Sequence, residues 1–140
     1  MKTYTAKVNE IKRNWYLIDA KDKILGRVAT QAAIIIRGKH KKDYTANFDM
    51  GDFVVIINAK FTALSGKKLE QKKYFRHSGY PGGLKSESLK NLIKTKPTEP
   101  LNRAIIGMIP ENRLKTNQIK RIKIYADENH KHTQKLIPTN

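Results

Sequence analysis

The sequence predicts an α/β domain built on a small, mostly parallel or mixed sheet of about four strands. Three observations predict it. Short apolar runs rich in β-favouring residues open at positions 15 and 53. Between them lies a segment whose apolar residues recur at helical spacing. Beyond them the order continues as strand, helix, helix, strand. At 140 residues, the chain fits one domain, 1–140. A chain of that size buries roughly 68–70% of its unfolded surface, and a hydrophobic content of 39% fills such a core.

The elements follow in order. WYLIDA (15–20) is a short aromatic and apolar run and reads as a buried strand. From Ile24 to Arg37, the residues Leu25, Val28, Ala29, Ala32 and Ile36 share one helix face. Gly26, Ala29, Ala32 and Ala33 keep that helix slim enough to approach a sheet, and Gly38 follows as a C-terminal stop. FVVIINA (53–59) is continuously apolar, which suits a central strand covered on both faces. KKYFR (72–76) reads as a further strand. Ser86 is the expected cap of a helix with Leu89, Leu92 and Ile93 on its apolar face, interrupted by Pro97 and Pro100. Leu101, Ile105 and Met108 suggest another short helix, stopped by Pro110. RIKIYA (121–126) alternates, with Ile122 and Ile124 on one side and Arg121, Lys123 and Tyr125 on the other, as in a half-covered strand with a basic outer face. From about Asp127 the chain reads as a polar tail.

The charge balance narrows the function. Lys and Arg number 29 against 12 Asp and Glu, a net charge of +17. Such an excess repels itself unless a polyanion neutralises it, and nucleic acid is the foremost partner, with an anionic membrane surface second. The cations cluster as RGKHKKDYT (37–45), GKKLEQKKYFR (66–76) and RLKTNQIKRIK (113–123), with a lesser patch at Lys85, Lys90, Lys94 and Lys96. A merely solvated surface would intersperse both signs. From these clusters come the candidate nucleic-acid contacts Lys42, Lys67, Lys68, Lys72, Lys73, Lys85, Arg113, Lys115, Lys120, Arg121 and Lys123. Cysteine is absent, which excludes disulfides, thiolate metal sites and cysteine nucleophiles. The opening MKTYTAKVNEIKRNW lacks the apolar core of a signal peptide, and no run nears the ~18 residues of a membrane span. A soluble, intracellular protein without a membrane partner is expected.

The stretch YFRHSGYPGG (74–83) carries the sharpest chemistry. Catalysis by His77 would need a nucleophile or acid nearby, but the adjacent Ser78 points the other way along a strand. The stretch reads instead as an RNA-facing strand and turn. Tyr74, Phe75 and Tyr80 pack or stack, while Arg76, His77 and glycine backbone meet phosphate and sugar. A metal-dependent nuclease is the alternative, with Asp43, Asp49 and Asp52 as oxygen ligands. Against it, DMGD (49–52) has the composition of a turn before a strand. His130 and His132 lack the companions of a zinc site. LSGKKL (64–69) fails as a phosphate loop, with Lys68 where Ser or Thr belongs and Phe61 where glycine belongs. No cofactor or small-molecule substrate is indicated.

WYLIDAKDKILGRVAT, RGKHKKDYT, DMGDFVVIINA, SGKK, YFRHSGYPGG and IIGMIPENRL occur in one order with short spacers. Together with the start MKTYTAK, this pattern resembles the universal large-subunit ribosomal protein thirteen family in its bacterial form, over about residues 1–135. The resemblance implies a compact three-layer α/β/α domain that binds large-subunit ribosomal RNA beside neighbouring ribosomal proteins. It implies a role in early subunit assembly and no catalysis, in the ribosomes of the cytoplasm, with an organellar origin left open. It also implies that Arg37, Gly38, Lys39, His40 and Lys41 contact RNA, as do Arg76, His77, Ser78, Gly79, Gly82 and Gly83. The chain departs from the family pattern at Ala46 and Asn47, and at Leu114, Lys115 and Thr116, where the family carries Leu-Gly-Arg. Reversing the charge of Lys39, Lys41 and Lys42 is expected to weaken RNA binding without unfolding the domain.

Overall fold

The computed structural model describes residues 7–139; the first six residues of the MKTYTAK motif, which also open the stretch read for a signal peptide, lie outside them. Its elements are β1 (Trp15–Asp19), α1 (Leu25–Arg37), β2 (Phe53–Ile57), α2 (Lys68–Gln71), β3 (Lys73–His77), β4 (Leu84–Ser88), α3 (Leu89–Thr95), α4 (Glu99–Met108), α5 (Lys115–Lys120), β5 (Ile122–Ile124) and β6 (Leu136–Thr139). Single 3₁₀ turns lie at Val8–Glu10 and Ala59–Phe61. A four-stranded sheet has the order β5-β2-β1-β6, and every neighbouring pair is parallel. β3 and β4 form a separate antiparallel pair. No helix among the described residues is long and apolar enough to cross a membrane.

Register explains the core. Tyr16 pairs with Val54 and Ile18 with Ile56; Val54 and Ile56 pair in turn with Ile122 and Ile124. These six side chains form rows on one sheet face, where they meet Val28, Ala29, Ala32 and Ile36 of α1 and Leu101 and Ile105 of α4. Each fully buried aliphatic side chain contributes about 1.5–3 kcal/mol. The opposite face carries Val55, which is also buried. It also carries the stacked rings of Trp15 and Phe53, with centroids 4.3 Å apart. His132, from the segment between β5 and β6, lies against Trp15 there. The apolar run of β2 is thus covered on both faces, as a central parallel strand requires.

The α/β class, the small parallel sheet, β1, α1 and β2 agree with the sequence reading. Four details differ. KKYFR is a strand, but it pairs with β4 outside the main sheet, and the fourth strand of that sheet is β6. The chain after Asp127 is polar in composition, yet it returns to pair Leu136–Thr139 with β1. Pro138 fits there because β6 is an edge strand, where a missing N–H leaves no ladder partner wanting. Ser86 lies in β4, and the cap of α3 is Ser88, whose hydroxyl accepts from the Asn91 N–H at 3.4 Å. Pro100 sits in the first turn of α4, where its fixed φ favours the helix start, and Met108 at the other end is exposed rather than buried.

Candidate nucleic-acid interface

The first basic cluster grows from the C-terminus of α1. Gly38 has φ +78, and a Cβ there would come within 2.8 Å of the Met50 carbonyl group, so glycine is required twice over. Gly51 lies still closer to the helix, since a Cβ on it would overlap the Ile36 carbonyl oxygen at 1.6 Å. The turn 49–52 is therefore pressed onto the end of α1, and it carries two acids inward. Asp52 is 0% exposed. Its Oδ1 accepts from Lys41 Nζ at 2.6 Å and from the Asn14 N–H at 3.0 Å, while His40 Nε2 donates to Oδ2 at 2.9 Å. Asp49 receives both terminal guanidinium nitrogens of Arg121 and accepts from Arg13 through its backbone oxygen at 3.1 Å. Arg121 is only 6% exposed. It does not lie on a basic outer face of β5 as the alternation suggested; it ends α5 and turns into the molecule.

These pairings bear on the nuclease alternative. Asp49 and Asp52 are consumed as counter-ions of cations, and among the described residues no group of three or more His, Cys, Asp or Glu is placed to hold a metal ion. His132 Nε2 lies 3.0 Å from the Tyr125 hydroxyl, with its ring on Trp15. Burial first, then His130 and Lys123, hold its imidazole below the ordinary histidine value.

Within the first cluster, Lys39 and Lys42 are exposed, whereas Arg37 is half-buried. In the second, Lys67, Lys68, Lys72 and Lys73 are all exposed. Lys68 donates to the Ser65 hydroxyl at 2.9 Å, and the Lys72 ammonium lies 5.5 Å from the Tyr74 ring centre. In the third, Arg113 and Lys120 are exposed, Lys123 is half-buried, and Lys115 at the start of α5 pairs with Glu111 in the loop before it.

The YFRHSGYPGG stretch forms β3 and the tip of the β3–β4 hairpin. Pro81 and Gly82 occupy the central positions of a turn closed by the Gly83 N–H donating to the Tyr80 carbonyl at 3.0 Å. Gly82 has φ +71, as the third position of a type II turn requires. Gly79 has φ +88, and a Cβ on Gly83 would strike the Ser78 hydroxyl at 2.0 Å. His77 Nδ1 accepts from the Gly79 N–H at 2.9 Å. That nitrogen is occupied in shaping the turn, and Nε2 remains as an exposed donor, the wrong polarity for a general base and the right one for phosphate. Tyr80, Phe75 and Leu84 are 76%, 64% and 60% exposed. Arg76 and Lys85 stand directly opposite each other across the two strands.

Sequence reasoning missed Arg103. It follows Glu99 by one helical turn on α4, and Glu99 accepts from its Nε at 2.8 Å. This leaves the guanidinium 5.1 Å from the Tyr74 ring centre. The i, i+4 spacing of Glu99 and Arg103 was a readable signal of an ordered arginine, but nothing in the sequence told that Tyr74 would lie beneath it.

A family model described as ribosomal protein L13 matches residues 13–131. The large ribosomal subunit protein uL13 of Chlorobium limicola is 51% identical over 132 residues, covering 94% of this chain and 89% of that one. The protein of the same name from Pelotomaculum thermopropionicum is 52% identical over 133 residues, covering 94% and 92%. That from Carboxydothermus hydrogenoformans is 53% identical over 130 residues, covering 93% and 91%. With inward-turned acids serving as counter-ions and the likeness running nearly end to end, the chain belongs to the ribosomal protein L13 family in its bacterial form, whose members are structural, non-enzymatic proteins of the ribosome.

Proposed function

We propose that this chain, acting as a single domain, is a structural constituent of the large ribosomal subunit that binds its RNA and supports early assembly in the cytoplasm. One observation carries the reading: the division of labour among charges. Asp49, Asp52, Glu99 and Glu111 are each committed to a cation of the chain itself. Lys39, Lys42, Lys67, Lys73, Arg76, Lys85, Arg113 and Lys120 are left exposed, with few acids to answer them. Folded RNA supplies the missing negative charge.

The exposed cations neutralise phosphates. His77 Nε2 and the Gly82 N–H add donors, with Ser78 at the turn, while Gly79 and Gly83 spend their N–H groups on shaping it. The exposed rings of Phe75 and Tyr80 offer planes to unpaired bases, while Tyr74 backs the cations of Lys72 and Arg103. Gly38, His40, Lys41 and Arg121 serve the same end by holding the basic loop and α5 in place. Neighbouring large-subunit ribosomal proteins complete the surroundings. No cofactor takes part. Sedimentation of a native extract through a sucrose gradient tests this reading. The chain is expected to travel with the large subunit, and a chain found wholly in the free-protein fractions would overturn it.

A further inference from the structure

A cleft of about 520 Å³ opens between the β3–β4 hairpin and the helices α3 and α4. Tyr74 and the buried Leu92 are among the residues that line it. One wall presents Arg76 and Lys85, like charges set directly opposite across the strands, an arrangement that costs the hairpin stability, with the Glu87 carboxylate beside them on the same face. Lys96 and Arg103 face them from the helices. Glu99 fixes the Arg103 guanidinium through Nε, and Tyr74 lies against it. The guanidinium side chain is itself exposed, 42%. A planar cation backed by an aromatic ring and open to a cleft is a platform for another flat, electron-rich ring.

We propose that this cleft holds one unpaired nucleotide unit, with its base laid on the Arg103 guanidinium and its phosphate between Arg76, Lys85 and Lys96. The inference rests on the RNA-binding reading and deepens it. The volume lies within the range of small-ligand pockets, roughly 300–1,000 Å³. A base paired in a duplex cannot enter it, so the cleft selects a nucleotide extruded from RNA or a free mononucleotide, two sources of the same chemistry.

The test titrates the full chain, by calorimetry and by amide chemical shifts, with uridine 5′-monophosphate, inorganic phosphate and a short single-stranded oligouridylate. The monophosphate is expected to bind about tenfold tighter than phosphate, the increment a stacked base contributes. Arg103→Lys keeps the charge and removes the plane. It is expected to bring the two ligands within about twofold of each other. Arg76→Ser with Lys85→Ser is expected to weaken both by about tenfold, and it keeps the proposal falsifiable if Arg103→Lys disturbs the fold. An oligomer that binds more tightly than the monophosphate, dependent on Arg103, identifies RNA as the source. Equal affinities identify the free nucleotide. A monophosphate that binds no better than phosphate, or a preference indifferent to Arg103→Lys, overturns the inference. Large-subunit RNA binding by the same samples separates the failures. A chain that binds this RNA but ignores the monophosphate loses the cleft and keeps the proposed function. A chain that ignores both loses both.

Discussion

Asp52 is a buried carboxylate whose oxygens are answered by Lys41, His40 and the Asn14 N–H. Removing one member of a buried charged set leaves the others unpaired, at a cost of about 3–5 kcal/mol. Asp52→Ala, or Lys41→Glu, which sets carboxylate against carboxylate, is therefore expected to lower the urea midpoint of unfolding by a corresponding amount. Lys39→Glu and Lys42→Glu, on exposed side chains, are expected to stay within about 0.5 kcal/mol of the parent. The three lysines, alike in the sequence, thus divide, and charge reversal at Lys41 is expected to destabilise the fold, where the sequence alone led to the expectation that it would leave the domain folded. Composition and spacing placed all three in one basic loop, and only the inward turn at 49–52 distinguishes them. Arg121 was illegible for the same reason, because its partner Asp49 lies 72 positions away. His132 adds a pH dependence. Its folded value is depressed, so below about 6.5 the unfolded chain binds the proton that the folded chain resists, and stability falls as pH falls through that window. Thermal unfolding between pH 8 and pH 5 measures this, and His132→Phe is expected to flatten the curve.

The segments divide into those that bury a face and those that do not, and this division governs what could be read. β1, α1 and β2 repeat apolar residues with a period because the core demands it, and their positions were legible. β4 (LKSES) faces solvent along most of its length, so no alternation marks it. α5 carries Gln118 as its one buried residue, and β6 is a four-residue edge strand containing proline. Their pairing partners, not their own residues, define them. The junction of α1 with the 49–52 turn is a tight joint between segments. Gly51→Ala places a Cβ into the Ile36 carbonyl, and with backbone rather than a yielding side chain in the way, a loss near the upper end of about 1–3 kcal/mol is expected by denaturant melts. The exposed β3–β4 hairpin behaves oppositely. Phe75→Ala and Tyr80→Ala remove exposed rings, so stability is expected to hold within about 0.5 kcal/mol while affinity for single-stranded RNA falls severalfold in a filter-binding titration.

Taken entire, the molecule is a parallel α/β body in which Asp49 and Asp52 are turned inward and Glu99 and Glu111 are paired with cations of the chain, with an excess of cations left outside. The net charge of +17 made nucleic acid the foremost partner from composition alone. What composition did not reveal was which cations face a partner and which fasten the body that displays them. That distinction yields a quantity. The logarithm of affinity for a polyanion falls linearly with the logarithm of salt concentration, with a slope of roughly 0.9 for each duplex phosphate neutralised and ~0.7 for a single strand. The most direct measurement compares salt slopes for large-subunit ribosomal RNA between the parent chain and a variant carrying Lys39→Ser, Lys42→Ser, Lys73→Ser and Lys85→Ser, all four at exposed positions. The variant is expected to melt like the parent, bind more weakly, and show a slope flatter by up to roughly 2.8 to 3.6. A variant with unchanged affinity and unchanged slope, its fold intact, would contradict the assignment of this cationic coat to RNA.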